Sequence, residues 1–270
     1  MSAPPQTPQE WALALFGRSV LKQEKFRQVR ELAGDYAGLT CLDLGPDNGV
    51  ISLLLRQEGG RWHSADLGEE QTASIRSLVG ERVHQLDGGP TEFADGYFDL
   101  VAVVDFLEHI PDDRGFVTEL GRIVRPGGVL LVNVPHLRPG NWLLSLRDRL
   151  GLTDAWHGHL RPGYDRAGLE KLLAPWFQIE KSREYSKVLA ESIDTALNFM
   201  YMKAQGKTRG RTSGQKGVVV TQAAYERHAK QLKLLRLIYP FLWLAARLDR
   251  LLFFARGYKL IVKARRVANR

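Results

Sequence analysis

The chain has 270 residues, of which 44% are hydrophobic and 25% are charged, with a formal net charge of +8. This length suits one large α/β domain with an insertion, or one domain plus a small lid, since such a chain can bury a substantial core. The single cysteine, Cys41, excludes a disulfide framework and a cysteine-based metal site and fits a reducing compartment. The polar, proline-rich start does not resemble a secretory signal, and the apolar run 237–246 is about half the ~20 residues of a spanning helix, so we expect a cytoplasmic protein.

Charge is unevenly distributed along the chain. The first half is net acidic, whereas the second half is strongly basic. The basic half predicts an anionic partner, which is a membrane surface, a nucleic acid or a phosphorylated substrate.

The N-terminal segment carries a helix start signal. Thr7-Pro8-Gln9-Glu10 combines an N-cap, a proline in the first turn and a capping box, and predicts one helix to about Leu32. Residues 1–36 are therefore expected to form a helical cap ahead of the core.

Strand and helix patterns then alternate. The predicted elements, in chain order, are strand 40–44, helix 50–57, strand 61–66, helix 69–78, strands 82–86 and 98–104, a helix opened by Pro111, strand 129–134, helix 166–173 and strands 177–185 and 258–264. This alternation predicts an α/β fold with a doubly wound, mostly parallel sheet. The core comprises residues 37–186 and 257–270. The intervening residues 187–256 are predicted as an insertion, with a basic loop at 205–217 and an amphipathic helical stretch at 222–254 that breaks or kinks at Pro240.

A glycine turn follows the first predicted strand. In Leu42-Asp43-Leu44-Gly45-Pro46-Asp47-Asn48-Gly49, glycine lets the backbone approach a ligand, and the next helix offers free N–H groups. The turn lacks the G-x-G-x-x-G pattern, so an ordinary connection is the alternative. Asp66 ends the second strand, where a carboxylate accepts bonds from ribose hydroxyls or caps the next helix. Asp87-Gly88 follows the third strand. We expect it either to meet an adenine edge or to form a plain turn.

A longer segment makes the pattern specific. Phe98-Asp99-Leu100-Val101-Ala102-Val103-Val104-Asp105-Phe106-Leu107-Glu108-His109-Ile110-Pro111 precedes a helix and the turn Arg125-Pro126-Gly127-Gly128. With the glycine turn, it resembles class I Rossmann-like S-adenosylmethionine-dependent methyltransferases, in particular the small-molecule group, over about residues 39–135. The resemblance implies S-adenosylmethionine as cofactor, with Asp43, Gly45 and Gly49 at its methionine end, Asp66 at the ribose, Asp87 and Gly88 by the adenine, and Asp105 facing the methionine or the acceptor. Glu108 and His109 would shape the pocket floor, with His109 structural rather than a base.

Asp47 departs from the family pattern, which usually has a glycine there. A carboxylate beside the cofactor's own carboxylate is repulsive, so we expect this side chain to turn away and cap the helix near Asn48. The alternative is weakened cofactor binding.

The acceptor is expected to meet the loop Trp156-His157-Gly158-His159-Leu160-Arg161-Pro162-Gly163-Tyr164, because class I enzymes place acceptor loops at the carboxyl edge of the sheet. His157 and His159 are the candidate catalytic bases, unranked, with Arg161 and Tyr164 as a clamp. The alternative is a rigid loop whose histidines bond to backbone. His136 is a third candidate base, and no metal site is predicted.

The C-terminal helical stretch bears on the acceptor class. Its apolar positions, at helical spacing, could face the core: Phe241, Leu244, Ala245, Leu248, Leu251, Leu252 and Ala255. The opposite face carries Trp243, Arg247, Arg250 and Phe254, which suits an anionic membrane surface, a lipid-bearing acceptor or a dimer contact.

The sequence therefore predicts a methyltransferase that transfers a methyl group in line to a small-molecule or lipid-linked acceptor, with oxygen as the favoured atom. The protein would be cytoplasmic, with peripheral contact at the inner face of a membrane. One alternative is an RNA methyltransferase, but the sequence shows no aromatic stacking platform and no recognised RNA-binding module that would support it. Another is a non-catalytic methyltransferase-like binding protein, suggested by Asp47.

Overall fold

The N-terminal cap consists of two helices. In the computed structural model, which describes residues 7–46, 48–138, 140–204, 239–249, 251–252 and 255–268, α1 spans Pro8–Phe16 and α2 spans Val20–Ala33. The Thr7 hydroxyl accepts from the Glu10 amide at 3.2 Å, and the Glu10 carboxylate accepts from the Thr7 amide at 3.3 Å, which is the predicted capping box. The single predicted helix is wrong, because Gly17, a poor helix former, ends α1 and the Ser19 side chain caps α2.

The core is one sheet with helices between its strands. In chain order its elements are β1 (Thr40–Leu44), α3 (Val50–Gln57), β2 (Arg61–Asp66), α4 (Glu69–Val79), β3 (Val83–Gln85), β4 (Phe98–Val104), α5 (Asp113–Ile123), β5 (Val124–Pro135), α6 (Trp142–Arg149), α7 (Asp154–His157), α8 (Arg166–Leu173), β6 (Phe177–Tyr185), α9 (Val188–Ala204) and β7 (Lys259–Arg266). A 3₁₀ turn, Leu107–His109, follows β4.

The described strands lie in the order β3-β2-β1-β4-β5-β7-β6. Strands β1 to β5 pair in parallel, whereas β7 is antiparallel to both β5 and β6. The predicted doubly wound, mostly parallel sheet is therefore confirmed. Strand order reverses between β1 and β4, and such a switch point opens a crevice at the carboxyl ends of the strands.

Side chains alternate between the two faces of the sheet along each strand and form one apolar layer on each face. Leu42 and Val101 point into a cluster with the inner faces of α5 and α8. Cys41 and Leu100 point the other way, into a cluster with α1, α2 and α3. Both faces of the sheet are thus covered, which leaves its edge as the place for a ligand.

The segment between β6 and β7 agrees with its prediction at residues 239–249 and differs from it at its start. Its first part is α9, which the sequence pattern did not predict, and residues 239–249 are helical. The basic loop 205–217 and most of the 222–254 stretch lie outside the described residues. Within the described part of the chain, no helix combines the length and apolar character needed to cross a membrane.

Candidate active site

The glycine turn after β1 is fixed by close backbone packing. Gly45 has φ +72°, and a Cβ there would lie 2.5 Å from the Val104 carbonyl oxygen at the end of β4. Gly49 has φ +88°, and a Cβ there would lie 2.8 Å from the Cα of Ile75 in α4. Both positions need glycine, and the resulting open turn precedes the N-terminus of α3, where N–H groups favour an anionic ligand group. Asp47 lies outside the described residues.

Asp43 lies behind this turn and is almost fully buried. Its two carboxylate oxygens accept hydrogen bonds from the hydroxyls of Ser52 in α3 and Ser64 in β2. Burial raises the pKa of Asp43 to about 6, although these hydroxyls oppose the shift. The Asp43 side chain thus ties β1, β2 and α3 together beneath the turn.

The two other predicted nucleotide-binding positions lie at the ends of β2 and β3. The Asp66 carboxylate accepts from the amides of Leu67 at 2.8 Å and Gly68 at 3.5 Å. It is not the N-cap of α4, since Gly68 holds that position. Asp87 accepts from the Gly89 amide at 2.8 Å, and the intervening Gly88 has φ +87°. Both carboxylates therefore shape turns at the carboxyl side of the sheet.

Asp105 is the centre of a charged network after β4. It adopts φ +47°, and its carboxylate accepts from Asn133 Nδ2 at 3.0 Å and Lys259 Nζ at 2.9 Å and pairs with Lys25 of α2. Burial alone would raise the pKa of Asp105, but the two lysines outweigh it and hold that pKa well below its ordinary value. Asp105 is therefore a stable anion, and neither lysine was predicted as part of the site.

Glu108 and His109 follow in the 3₁₀ turn. Glu108 is 0% exposed, and neither of its carboxylate oxygens has a hydrogen-bond partner among the residues that the structure describes. Burial, together with the charge of Asp105, raises the pKa of Glu108 to about 8. His109 Nδ1 lies 2.9 Å from the carbonyl oxygen of Gly158, so the turn is tied to the loop after α7.

That loop brings the predicted histidines to the same place. The His159 ring lies 5.1 Å from the His109 ring and 5.3 Å from the His157 ring, between centroids. Burial and the neighbouring His109 lower the pKa of His159 to about 4. One ligand atom from each of Glu108, His109 and His159 lies within 4.8 Å of the other two, so this trio could hold a metal ion. The sequence missed the trio because His159 is 50 positions from His109.

The remaining loop candidates hold the loop in place. Arg161 donates to the carbonyl oxygens of Leu107 at 3.1 Å and Pro111 at 3.0 Å, and to the Tyr164 hydroxyl at 2.9 Å. The Tyr164 hydroxyl in turn donates to Asp113. His136 is buried, with Nδ1 3.0 Å from the carbonyl oxygen of Gly257. These three side chains are engaged in fold contacts.

A pocket of about 570 Å³ opens between these elements. Its wall includes parts of α2, of residues 105–109 after β4 (the β4 turn), of residues 156–164 (the histidine loop), of α9 and of β7. The charged and imidazole groups in this wall include Lys25, Asp105, Glu108, His157, His159, Glu191 and Lys259. The pocket thus carries several charged and hydrogen-bonding groups, and one of them, Asp105, lies between the residues against which Gly45 packs.

This strand order, with a glycine turn after β1 and acidic residues after β2 and β4, defines the class I Rossmann-like fold of S-adenosylmethionine-dependent methyltransferases. Residues 42–132 match a family model described as a methyltransferase domain. Over residues 42–132 the chain thus matches a methyltransferase domain, on a Rossmann-like sheet.

The comparisons also give individual relatives. A ubiquinone biosynthesis O-methyltransferase from Pseudomonas paraeruginosa is 30% identical over 130 residues, which cover 44% of this chain and 53% of that protein. The chain thus spans about half the length of the curated relatives it matches.

Two solved structures share the fold. An S-adenosylmethionine-dependent methyltransferase from Mesorhizobium loti has a TM-score of 0.52 at 17% identity, covering 89% of this chain and 96% of that one. Phosphoethanolamine N-methyltransferase 2 from Haemonchus contortus, solved with S-adenosyl-L-methionine, has a TM-score of 0.53 at 16% identity, covering 97% and 56%. At these identities the likeness concerns the fold.

Proposed function

We propose that the protein is an S-adenosylmethionine-dependent methyltransferase that methylates a hydroxyl oxygen of a small-molecule or lipid-linked acceptor. The observation that carries this proposal is the junction at Asp105. Gly45 of the glycine turn packs against Val104 and Phe106, the two neighbours of Asp105, and Asp105 itself lines the pocket of about 570 Å³. A cofactor at the glycine turn and an acceptor in the pocket would meet there.

The cofactor side fits S-adenosylmethionine in shape and charge. A Cβ at Gly45 or Gly49 would clash with the adjoining strand or helix, so the turn stays open in front of α3. Helix N–H groups suit the methionine carboxylate, and Asp66 suits the ribose hydroxyls. Asp87 and Gly88 are proposed beside the adenine. The sulfonium methyl of the cofactor is itself a good electrophile, so the protein's task is alignment and exclusion of water.

The acceptor side supplies two histidines. His157 and His159 both line the pocket, and we propose that they contact the acceptor hydroxyl and take up its proton. Oxygen as the methylated atom is supported by the O-methyltransferase name of the curated relative.

A lipid-linked acceptor is supported by the surface of the 239–249 helix. The sequence pattern allowed its apolar positions to face the core, but Phe241, Leu244 and Leu248 are 72%, 50% and 43% exposed. Trp243 is also exposed, with the Arg247 guanidinium carbon 3.9 Å from its ring centroid. Arg250 and Phe254 lie outside the described residues. Exposed apolar side chains beside arginine suit peripheral contact with an anionic membrane, and we propose that a cytoplasmic protein makes this contact at the inner face of a membrane.

Calorimetry and a labelled-methyl assay test this function. The demethylated cofactor, S-adenosylhomocysteine, should bind at micromolar Kd, which corresponds to roughly −8 kcal/mol, whereas NAD should give no heat. Labelled methyl groups should pass from the cofactor into a component of lipid or aqueous extracts. Absence of heat with S-adenosylhomocysteine, or clear binding of NAD, would refute the proposal.

A matched pair of variants tests the ribose contact. Asp66→Ala should weaken S-adenosylhomocysteine binding by on the order of tenfold or more, since a charge-assisted hydrogen bond contributes about 1.5–3 kcal/mol. Asp35→Ala is the control, because Asp35 also accepts from an amide two residues on, Ala37, at 2.9 Å, but precedes β1 at the opposite edge of the sheet. Equal losses in both variants would remove Asp66 from the site.

A further inference from the structure

Three potential metal ligands meet at the wall of the acceptor pocket. A carboxylate oxygen of Glu108 and one ring nitrogen each of His109 and His159 lie within 4.8 Å of one another. Tetrahedral ligation at about 2.1 Å puts ligand atoms about 3.4 Å apart, so modest side-chain rotation would close this set around an ion. We propose that Glu108, His109 and His159 bind a divalent metal ion of the zinc type.

Glu108 gives an independent reason for a cation. Its carboxylate is completely buried, and neither oxygen has a hydrogen-bond partner in the described part of the chain. A buried carboxyl group without a partner is strongly unfavourable, and a bound cation supplies the partner that it lacks. Glu108 also lines the pocket, so an ion beside it would be accessible from the acceptor side.

His109 has the outer contact that metal ligands use, and His159 has a carboxylate nearby. His109 Nδ1 lies 2.9 Å from the Gly158 carbonyl oxygen, and only a protonated ring nitrogen donates to a carbonyl. The lone pair of His109 is therefore on Nε2. Carbonyl partners of this kind fix the orientation of metal-bound imidazoles. His159 Nδ1 lies 3.5 Å from the Asp154 carboxylate, but it makes no hydrogen bond within the described part of the chain.

The donor set indicates the kind of ion. Two imidazoles and one carboxylate, with a fourth position open, form a common catalytic zinc arrangement. The nearby lysines do not oppose the ion with their full charge, because Lys25 and Lys259 are both paired with Asp105. His159 lies outside residues 42–132, so the third ligand comes from this chain's own loop rather than from the matched domain.

The use of the ion rests on the proposed function, although its binding does not. At the open position it would take the acceptor hydroxyl and ease loss of the proton. With His159 bound to the metal, His157, which also lines the pocket, takes up this proton. The bond between the methyl carbon and sulfur breaks, and the new bond joins that carbon to the acceptor oxygen.

Cobalt substitution tests binding without reference to activity. The full-length protein, stripped of metal by a chelator, is titrated with Co²⁺. Visible absorption of four-coordinate cobalt should appear and saturate at one ion per chain, and Zn²⁺ should displace it. No such absorption, together with no Zn²⁺ binding by calorimetry, would overturn the site.

Variants locate the ligands. Glu108→Gln and His159→Ala should each weaken Co²⁺ and Zn²⁺ binding by on the order of 100-fold or more, since loss of outer-contact residues already costs about 10–100-fold. His157→Ala is the control, because His157 neighbours His159 but is not one of the three ligands. Thermal melts identify any variant that fails to fold. If one ligand variant does not fold, the metal affinity of the other ligand variant tests the site. Equal loss in His157→Ala and His159→Ala would overturn the assignment.

The role of the ion is judged separately. Metal binding without methyl transfer in any extract would leave the site standing and count against the proposed function. Undiminished transfer by the metal-free protein would support the proposed function and overturn the role given to the ion.

Discussion

Replacement of Gly45 by alanine should destabilise the protein more than the same change elsewhere at a similar backbone angle. Gly45 (φ +72°) would place a Cβ 2.5 Å from the Val104 carbonyl oxygen and 2.8 Å from Phe106 Cβ. Gly38 (φ +76°) is the matched control, because a Cβ there would have no atom of the described ranges within 4 Å. Both substitutions carry the energetic cost of a positive φ for alanine, but only Gly45→Ala also brings the new Cβ into a close contact.

The expected magnitudes follow from these two terms. A left-handed conformation costs an alanine about 1–2 kcal/mol at either position. At Gly45, the neighbouring carbonyl cannot rotate away, so the ends of β1 and β4 must move apart, at a typical overpacking cost of about 1–3 kcal/mol. The free energy of unfolding should therefore fall by about 2–5 kcal/mol in Gly45→Ala and by about 1–2 kcal/mol in Gly38→Ala.

Urea unfolding gives both free energies, and calorimetry with S-adenosylhomocysteine gives the second readout. Only Gly45→Ala should also lose affinity, because only there does the added methyl group alter the turn proposed to hold the cofactor. If Gly45→Ala costs no more stability than Gly38→Ala, the close packing at the end of β1 does not require glycine.

Three further predictions concern pH, the α9 helix and the membrane. Burial, with the charge of His84, lowers the pKa of His63 to about 4, so between that pH and about 6.5 only the unfolded chain binds this proton. The free energy of unfolding should therefore decrease as the pH is lowered through this window. His63→Phe should reduce the difference between the urea midpoints at pH 7 and pH 5, and an unchanged difference would contradict this account of His63. Asp249→Ala should cost about 1–3 kcal/mol in urea unfolding, because three backbone amides at the start of α9 donate to this buried carboxylate; no loss would show that water replaces it. The double variant Leu244→Ser and Leu248→Ser should sediment less with anionic vesicles while keeping its thermal stability. If this variant unfolds instead, these two leucines belong to the core.

The parts of the fold that the sequence predicted are those with local causes. In β4 the residues from Leu100 to Val104 form a continuous apolar run, and α8 and β6 begin and end where their patterns do. The break between α1 and α2 also had a local signal, the glycine and the capping serine that follow Phe16, but the apolar spacing continues across it. In contrast, α9 begins at amides held by Asp249, about 60 residues away, and no local pattern reports such a contact.

The site divides in the same way. The turn at Gly45 is local, and its open backbone could be foreseen from one short segment. The surroundings of Asp105 could not, because Lys25 lies 80 positions before it and Lys259 lies 154 positions after it. The trio of Glu108, His109 and His159 likewise exists only because the loop after α7 folds back on the β4 turn, with Arg161 fixed to that turn's carbonyl oxygens.

The folded structure also changes the meaning of the charge asymmetry. The sequence predicted an anionic partner for the basic second half, but several of its cations already face acidic groups of the first half. Lys259 pairs with Asp105, and Arg183 pairs with Glu31. Such pairs use basic charge within the fold, so the net charge of the second half overstates what it offers to an outside anion. Among the described residues, Arg247 differs, because it lies over the exposed Trp243 on an apolar helix surface, and that combination favours a lipid interface over a nucleic-acid groove.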